Sequence, residues 1–146
     1  MESWKSMYLI IWISFLQILL ILFAPTQTSL EQMATIGIHV VIGLAVLGLA
    51  FSVYRGVRQS ACPDRIKRIT RTTRNLTVFQ GVLGIALALG IVFSLGSLYA
   101  AIVGFLHVAN ALAIITQASS SATAYDMWEE KEFQTPAPAQ QPMPAL

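Results

Sequence analysis

Four apolar stretches dominate this chain, running from Tyr8 to Phe23, Met33 to Tyr54, Val78 to Leu95 and Leu98 to Ala118. They constrain the fold more than any other feature. A helix that crosses the hydrocarbon layer of a bilayer needs about 20 mainly apolar residues. In lipid each backbone N–H and C=O must find its partner within the segment or a closed barrel, so long apolar runs are expected to be continuous helices. Only 11% of the 146 residues are charged and 55% are hydrophobic, whereas a soluble domain carries about one quarter charged residues. The expectation is an all-α integral membrane four-helix bundle in residues 1–118, with helices over about 8–24, 33–54, 76–95 and 98–118. The first stretch reads as an uncleaved span rather than a signal peptide. A single basic residue, Lys5, precedes it, its apolar run exceeds a usual signal core, and Pro25 follows directly on Ala24, where cleavage would fall.

Basic residues near helix ends resist translocation. Seven of the nine, Arg55, Arg58, Arg65, Lys67, Arg68, Arg71 and Arg74, lie between the second and third apolar stretches. That segment is therefore expected in the cytoplasm, which puts both termini there as well, in agreement with Lys5 and Lys131. The expected location is a cell membrane, crossed several times, with the bilayer as partner. Because the basic segment 55–75 carries no aromatic residue for base stacking, it reads as a topology signal that also holds anionic headgroups, and no nucleic-acid partner is expected.

The single Cys62 excludes a disulfide framework and reads as an inert thiol. Asn75-Leu76-Thr77 matches the glycosylation pattern but falls on the cytoplasmic side, where it has no use. Beyond Ala118, "SSSATAYDMWEEKEF" has the composition to extend a helix by a few turns at most. "QTPAPAQQPMPAL" follows, with four prolines and no charge. Residues 119–146 are expected to form a disordered, Pro-rich cytoplasmic tail.

Polar side chains at membrane depth are rare and usually face the bundle interior. Glu31, Gln32, His39, Gln80, His107, Asn110 and Gln117 are the residues of this kind, and the two histidines are the only ones in the chain. Both lie on helices running from outside to inside, at depths differing by roughly 5 Å for a rise of 1.5 Å per residue. Two neutral imidazoles can fill both axial positions of a heme iron while the macrocycle lies among apolar helices. The alternative is that each histidine hydrogen-bonds a neighbouring helix. A zinc or copper site is disfavoured, since only Glu31 is near enough to join them as a ligand.

Read in order, "HVVIGLAVLGLAFSVYR", "FQGVLGIALALG" and "AAIVGFLHVANALAIITQAS" resemble one four-helix half of the heme A synthase family. Gln80-Gly81-Val82-Leu83-Gly84 is the most distinctive part, and the match spans roughly residues 30–120. The resemblance implies a compact half-size member in which His39 and His107 are axial heme ligands and Gln80 and Asn110 are polar contacts to the cofactor. It further implies oxidation of the methyl group of heme o, with Glu31 as acid or base. The chain departs from the family at Val40, where an Arg is usual, and in Glu31, which lies eight residues before His39 rather than a few. Separate substrate and cofactor hemes would require a homodimer. Two other readings stand beside this one: a non-enzymatic b-type cytochrome, such as a subunit of a respiratory electron-transfer complex, and a heme-free structural or assembly subunit.

Overall fold

A computed structural model describes residues 3–23 and 29–130. Four helices account for nearly all of them: α1 (Ser3–Leu22), α2 (Ser29–Gln59), α3 (Asp64–Val92) and α4 (Ser97–Glu129). All four are long and apolar enough to cross a membrane, and no strand occurs among the described residues. Each helix packs against its chain neighbours and α1 closes the ring on α4, whereas no Cα of α2 lies within 8 Å of one in α4. The bundle is thus a square of antiparallel neighbours, with α2 and α4 on a diagonal.

The helices overrun the apolar stretches, and the basic segment is not the loop the sequence suggests. Arg55 and Arg58 end α2, and Arg65 through Arg74 lie within α3. Only residues 60–63 leave the helices. Arg, Lys and Thr side chains from position 64 onward include no Gly or Pro, and arginine and lysine are good helix formers. Pro63 at the N-cap and Asp64 in the first turn start α3, in keeping with a fixed proline φ and an acid at the positive helix end. The Val57 carbonyl at the end of α2 accepts bonds from Ser60 N (3.2 Å), Ser60 Oγ (2.8 Å) and Cys62 Sγ (3.5 Å). The expected boundary at residue 118 is also overrun: Ser119–Glu129 continue α4 for about three turns at 3.6 residues each. The proline-rich stretch, Lys131 and the Ala24-Pro25 junction lie outside the described residues.

At the other end, α3 and α4 are joined by a tight turn. Leu95 N donates to Gly90 O (3.0 Å) and Ser94 N to Ile91 O (3.2 Å), the paired bonds of a Schellman cap with Ser94 at its left-handed position (φ 52°). Gly90 lies against Tyr99, whose ring occupies the space a Cβ would need. The Tyr99 hydroxyl donates to Ala86 O at 2.9 Å.

Packing is uneven along the bundle axis. The buried cluster includes Met7, Ile10, Val46, Ala50, Val53, Val57, Cys62, Ile66, Ile114, Ala118 and Ala122, all towards the basic end. Thr70, Thr73 and Thr77 join it on the inner face of α3, their hydroxyls satisfied by carbonyls one turn back. Ser121 Oγ has no partner and lines a cavity of about 10 Å³ with Thr70 and Thr73. Outward-facing positions are apolar: Leu44, Ile85, Leu98 and Phe105 are 63–74% exposed. Such a surface would drive a water-soluble protein to aggregate, and it matches a lipid solvent.

Candidate functional site

Gln17, His39, Gln80, His107 and Asn110 gather at one level of the bundle. His39 lies ten residues beyond Ser29, the first of α2, and His107 ten beyond Ser97, the first of α4. Equal registers on parallel helices bring the rings near each other across the diagonal, with centroids 6.1 Å apart and planes tilted by 46°. Both rings are half-buried, and Nδ1 of each is enclosed without a hydrogen-bond partner.

Two amide locks fix this level. On the α1–α2 side, Gln17 Nε2 donates to the backbone carbonyl of His39 at 2.8 Å. Gly43, one turn on, lets the amide in: a Cβ there would stand 3.4 Å from Gln17 Nε2. On the α3–α4 side, Asn110 Nδ2 donates to Gln80 Oε1 (2.7 Å) and to Leu76 O (3.0 Å). Asn110 is one turn from His107, and Gly84 is one turn from Gln80. A Cβ on Gly84 would stand 3.5 Å from His107 Cε1, in ordinary van der Waals contact, so the imidazole packs against α3 at this glycine. The Gln80…Gly84 motif therefore has a local physical meaning: its first residue ties α4 down and its last is where the histidine packs.

The separation of the rings suits a shared metal better than a direct bond between them. A metal–nitrogen bond is about 2 Å and a ring nitrogen lies about 1 Å from its ring centre, so two imidazoles on opposite sides of one ion have centroids about 6 Å apart. At the same separation their nitrogens stand about 4 Å apart or more, beyond hydrogen-bond range. Among the described residues no group of three or more His, Cys, Asp or Glu side chains is placed to hold a metal ion. The donor set is two neutral nitrogens, which fits axial ligation of a porphyrin iron and falls short of a closed zinc centre. The 10 Å³ cavity and a groove of about 780 Å³ beside Pro63 and Thr123 both lie away from the histidines.

Of the other residues singled out by the sequence, Glu31 and Gln32 are exposed in the first turns of α2. Glu31 is about 12 Å from His39 along the helix at 1.5 Å per residue. Its carbonyl accepts from Thr35 Oγ1 at 2.9 Å. Gln117 is half-buried seven residues inward of Asn110. Gln80 and Asn110 are hydrogen-bonded to each other. Gln17 is the residue that sequence reasoning passes over. Its signal was available as the one amide inside the stretch Tyr8–Phe23.

Comparison with protein-family models, curated proteins and solved structures returns no match. The likeness to heme A synthases thus rests on the Gln80–Gly84 motif and the placing of the two histidines in the sequence.

Proposed function

We propose that this chain is a multi-pass cell-membrane protein that binds one b-type heme between His39 and His107 and carries electrons through it. The observation that carries the reading is the pair of opposed imidazoles, 6.1 Å apart across the bundle diagonal with both Nδ1 atoms unpartnered. A heme so bound would supply a one-electron couple, and two nitrogen ligands leave no open position for oxygen. The protein's part is rigidity: the Gln17 and Asn110–Gln80 bonds hold both ligands at one depth in either redox state. Seven basic residues at one end of the bundle favour a cytoplasmic orientation of that end and of both termini. Electron delivery to or from a respiratory complex, as a subunit or as a homo-oligomer, is the corresponding partnership.

The Gln80-Gly-Val-Leu-Gly84 motif favours a second reading, a half-size heme A synthase-like oxidoreductase. In it Glu31, two turns above His39 on α2, assists oxidation of the methyl group of heme o, and a second copy completes the site.

Purification in detergent from heme-supplied cells tests both. The expected reduced-minus-oxidised spectrum is that of a six-coordinate, low-spin heme, and His39→Ala or His107→Ala should each convert it to a high-spin form. Absence of a Soret band would overturn both readings in favour of a structural or assembly subunit. Co-expression with a heme o producer separates them, since an electron carrier leaves extracted heme o unchanged. Conversion to heme A that is lost in Glu31→Ala, with the bound-heme spectrum retained, would establish the enzyme.

A further inference from the structure

A separate cluster stands at the basic end of α2 and α3, far from the histidines. Tyr54 and Arg58, one turn apart on α2, meet Arg71 and Arg74 on α3. The Arg74 guanidinium lies 4.2 Å from the Tyr54 ring centroid and 5.7 Å from that of Phe51. It is steadied by bonds of 2.6 and 3.1 Å to Asn75 Oδ1. The positive charges of Arg58 and Arg71 also reach the Tyr54 hydroxyl. Among the described residues none of these three guanidiniums has a carboxylate within 4.0 Å; the nearby ion pair joins Lys67 to Asp64 instead. Residues 55–75 hold seven bases and the single acid Asp64.

Three guanidiniums drawn together without a carboxylate repel one another, and a shared anion would relieve that repulsion. Planar forks match phosphate oxygens in pairs. The Tyr54 hydroxyl has a proton to donate to the same anion. Position decides which phosphate. Tyr54 closes the apolar stretch that begins at Met33, about 33 Å of helix at 1.5 Å per residue, and therefore stands where hydrocarbon gives way to headgroups. One turn towards the hydrocarbon lie Phe51 and Val78, each 42% exposed, a surface for an acyl chain.

We propose that Arg58, Arg71, Arg74 and Tyr54 form a binding site for the phosphate of an anionic phospholipid headgroup. The site needs the bundle to be in a membrane and is independent of whether a heme is bound. It is tested on the full chain in neutral detergent, following the thermal unfolding midpoint against added short-chain phosphatidylglycerol, short-chain phosphatidylcholine or inorganic phosphate. Phosphatidylglycerol should raise the midpoint saturably, with phosphatidylcholine inert and inorganic phosphate effective only at far higher concentration. Replacing Arg58 and Arg71 by Gln together should raise the half-saturating phosphatidylglycerol concentration by about 25-fold, at about fivefold per basic residue near a membrane surface. Arg71→Lys, which keeps the charge and loses the fork, should fall between, and Arg65→Gln, outside the cluster, should leave the curve in place. Far-UV circular dichroism checks that each variant is folded. Equal shifts from both lipids, a double variant that titrates like the parent, or inorganic phosphate matching phosphatidylglycerol at equal concentration would each overturn the proposal.

Discussion

Replacing Asn110 with Ala should weaken the bundle by about 1–3 kcal/mol, and the size follows from what its side chain does. It is 8% exposed and gives two bonds to α3, to Gln80 Oε1 at 2.7 Å and Leu76 O at 3.0 Å. Hydrogen bonds between membrane helices average about 0.6 kcal/mol and reach about 1.7 kcal/mol. Truncation removes both bonds and strips Gln80 Oε1 of its donor in a half-buried position, which adds a desolvation cost. Gln80→Ala removes only one of the bonds and should cost about 1 kcal/mol. In the double variant no amide is left stranded, so the combined loss should be smaller than the sum by about 0.6–1.7 kcal/mol. Reversible unfolding in mixed micelles, with increasing anionic detergent and tryptophan fluorescence as the readout, measures all four corners of the cycle. Additivity within about 0.3 kcal/mol would refute the idea that this amide pair locks α4 to α3 at the level of His107.

Gly90→Ala should destabilise the α3–α4 hairpin by up to about 2 kcal/mol in the same assay: overlap with the Tyr99 ring costs about 1–3 kcal/mol, partly offset by about 1 kcal/mol of helix propensity. Ser94→Gly should act in the opposite sense, raising stability by about 0.5–1 kcal/mol, because Ser94 holds φ 52° and glycine adopts that region without a Cβ penalty. Gln17→Leu should lower stability by about 0.6–1.7 kcal/mol through loss of its bond to the His39 carbonyl, a loss that Gln17→Asn should fail to restore because the shorter amide cannot span the gap. Cys62, 3% exposed beneath the α2–α3 corner, should resist a maleimide reagent in the folded protein and react once the bundle is unfolded, as mass spectrometry of the labelled chain would show.

Much of the architecture could be read from the chain directly. Stretches of about 20 apolar residues can satisfy their backbone in lipid only as helices, and four such helices are present. Histidines 39 and 107 could be singled out because intramembrane imidazoles are scarce and both lie on helices of the same direction. Helix ends were less legible, since hydropathy marks where lipid stops and says nothing of where the hydrogen-bonded backbone stops. Thus Arg55–Arg74 looked like a loop yet is largely helical, while Ser119–Glu129, with the composition for a few further turns, continues α4.

Sequence alone determined the helices, their number and the residue types available for chemistry, because those depend on local hydropathy and composition. Tertiary structure decided what the polar residues do, because that depends on which helices are neighbours and which are diagonal. Gln80 and Asn110, on separate helices, are partners to each other. Gln17 acquires its role only when α1 lies beside α2 and Gly43 leaves the amide room. The two imidazoles come together because equal registers on α2 and α4 meet across the diagonal of the square, a relation between residues 68 apart in sequence that no local pattern encodes.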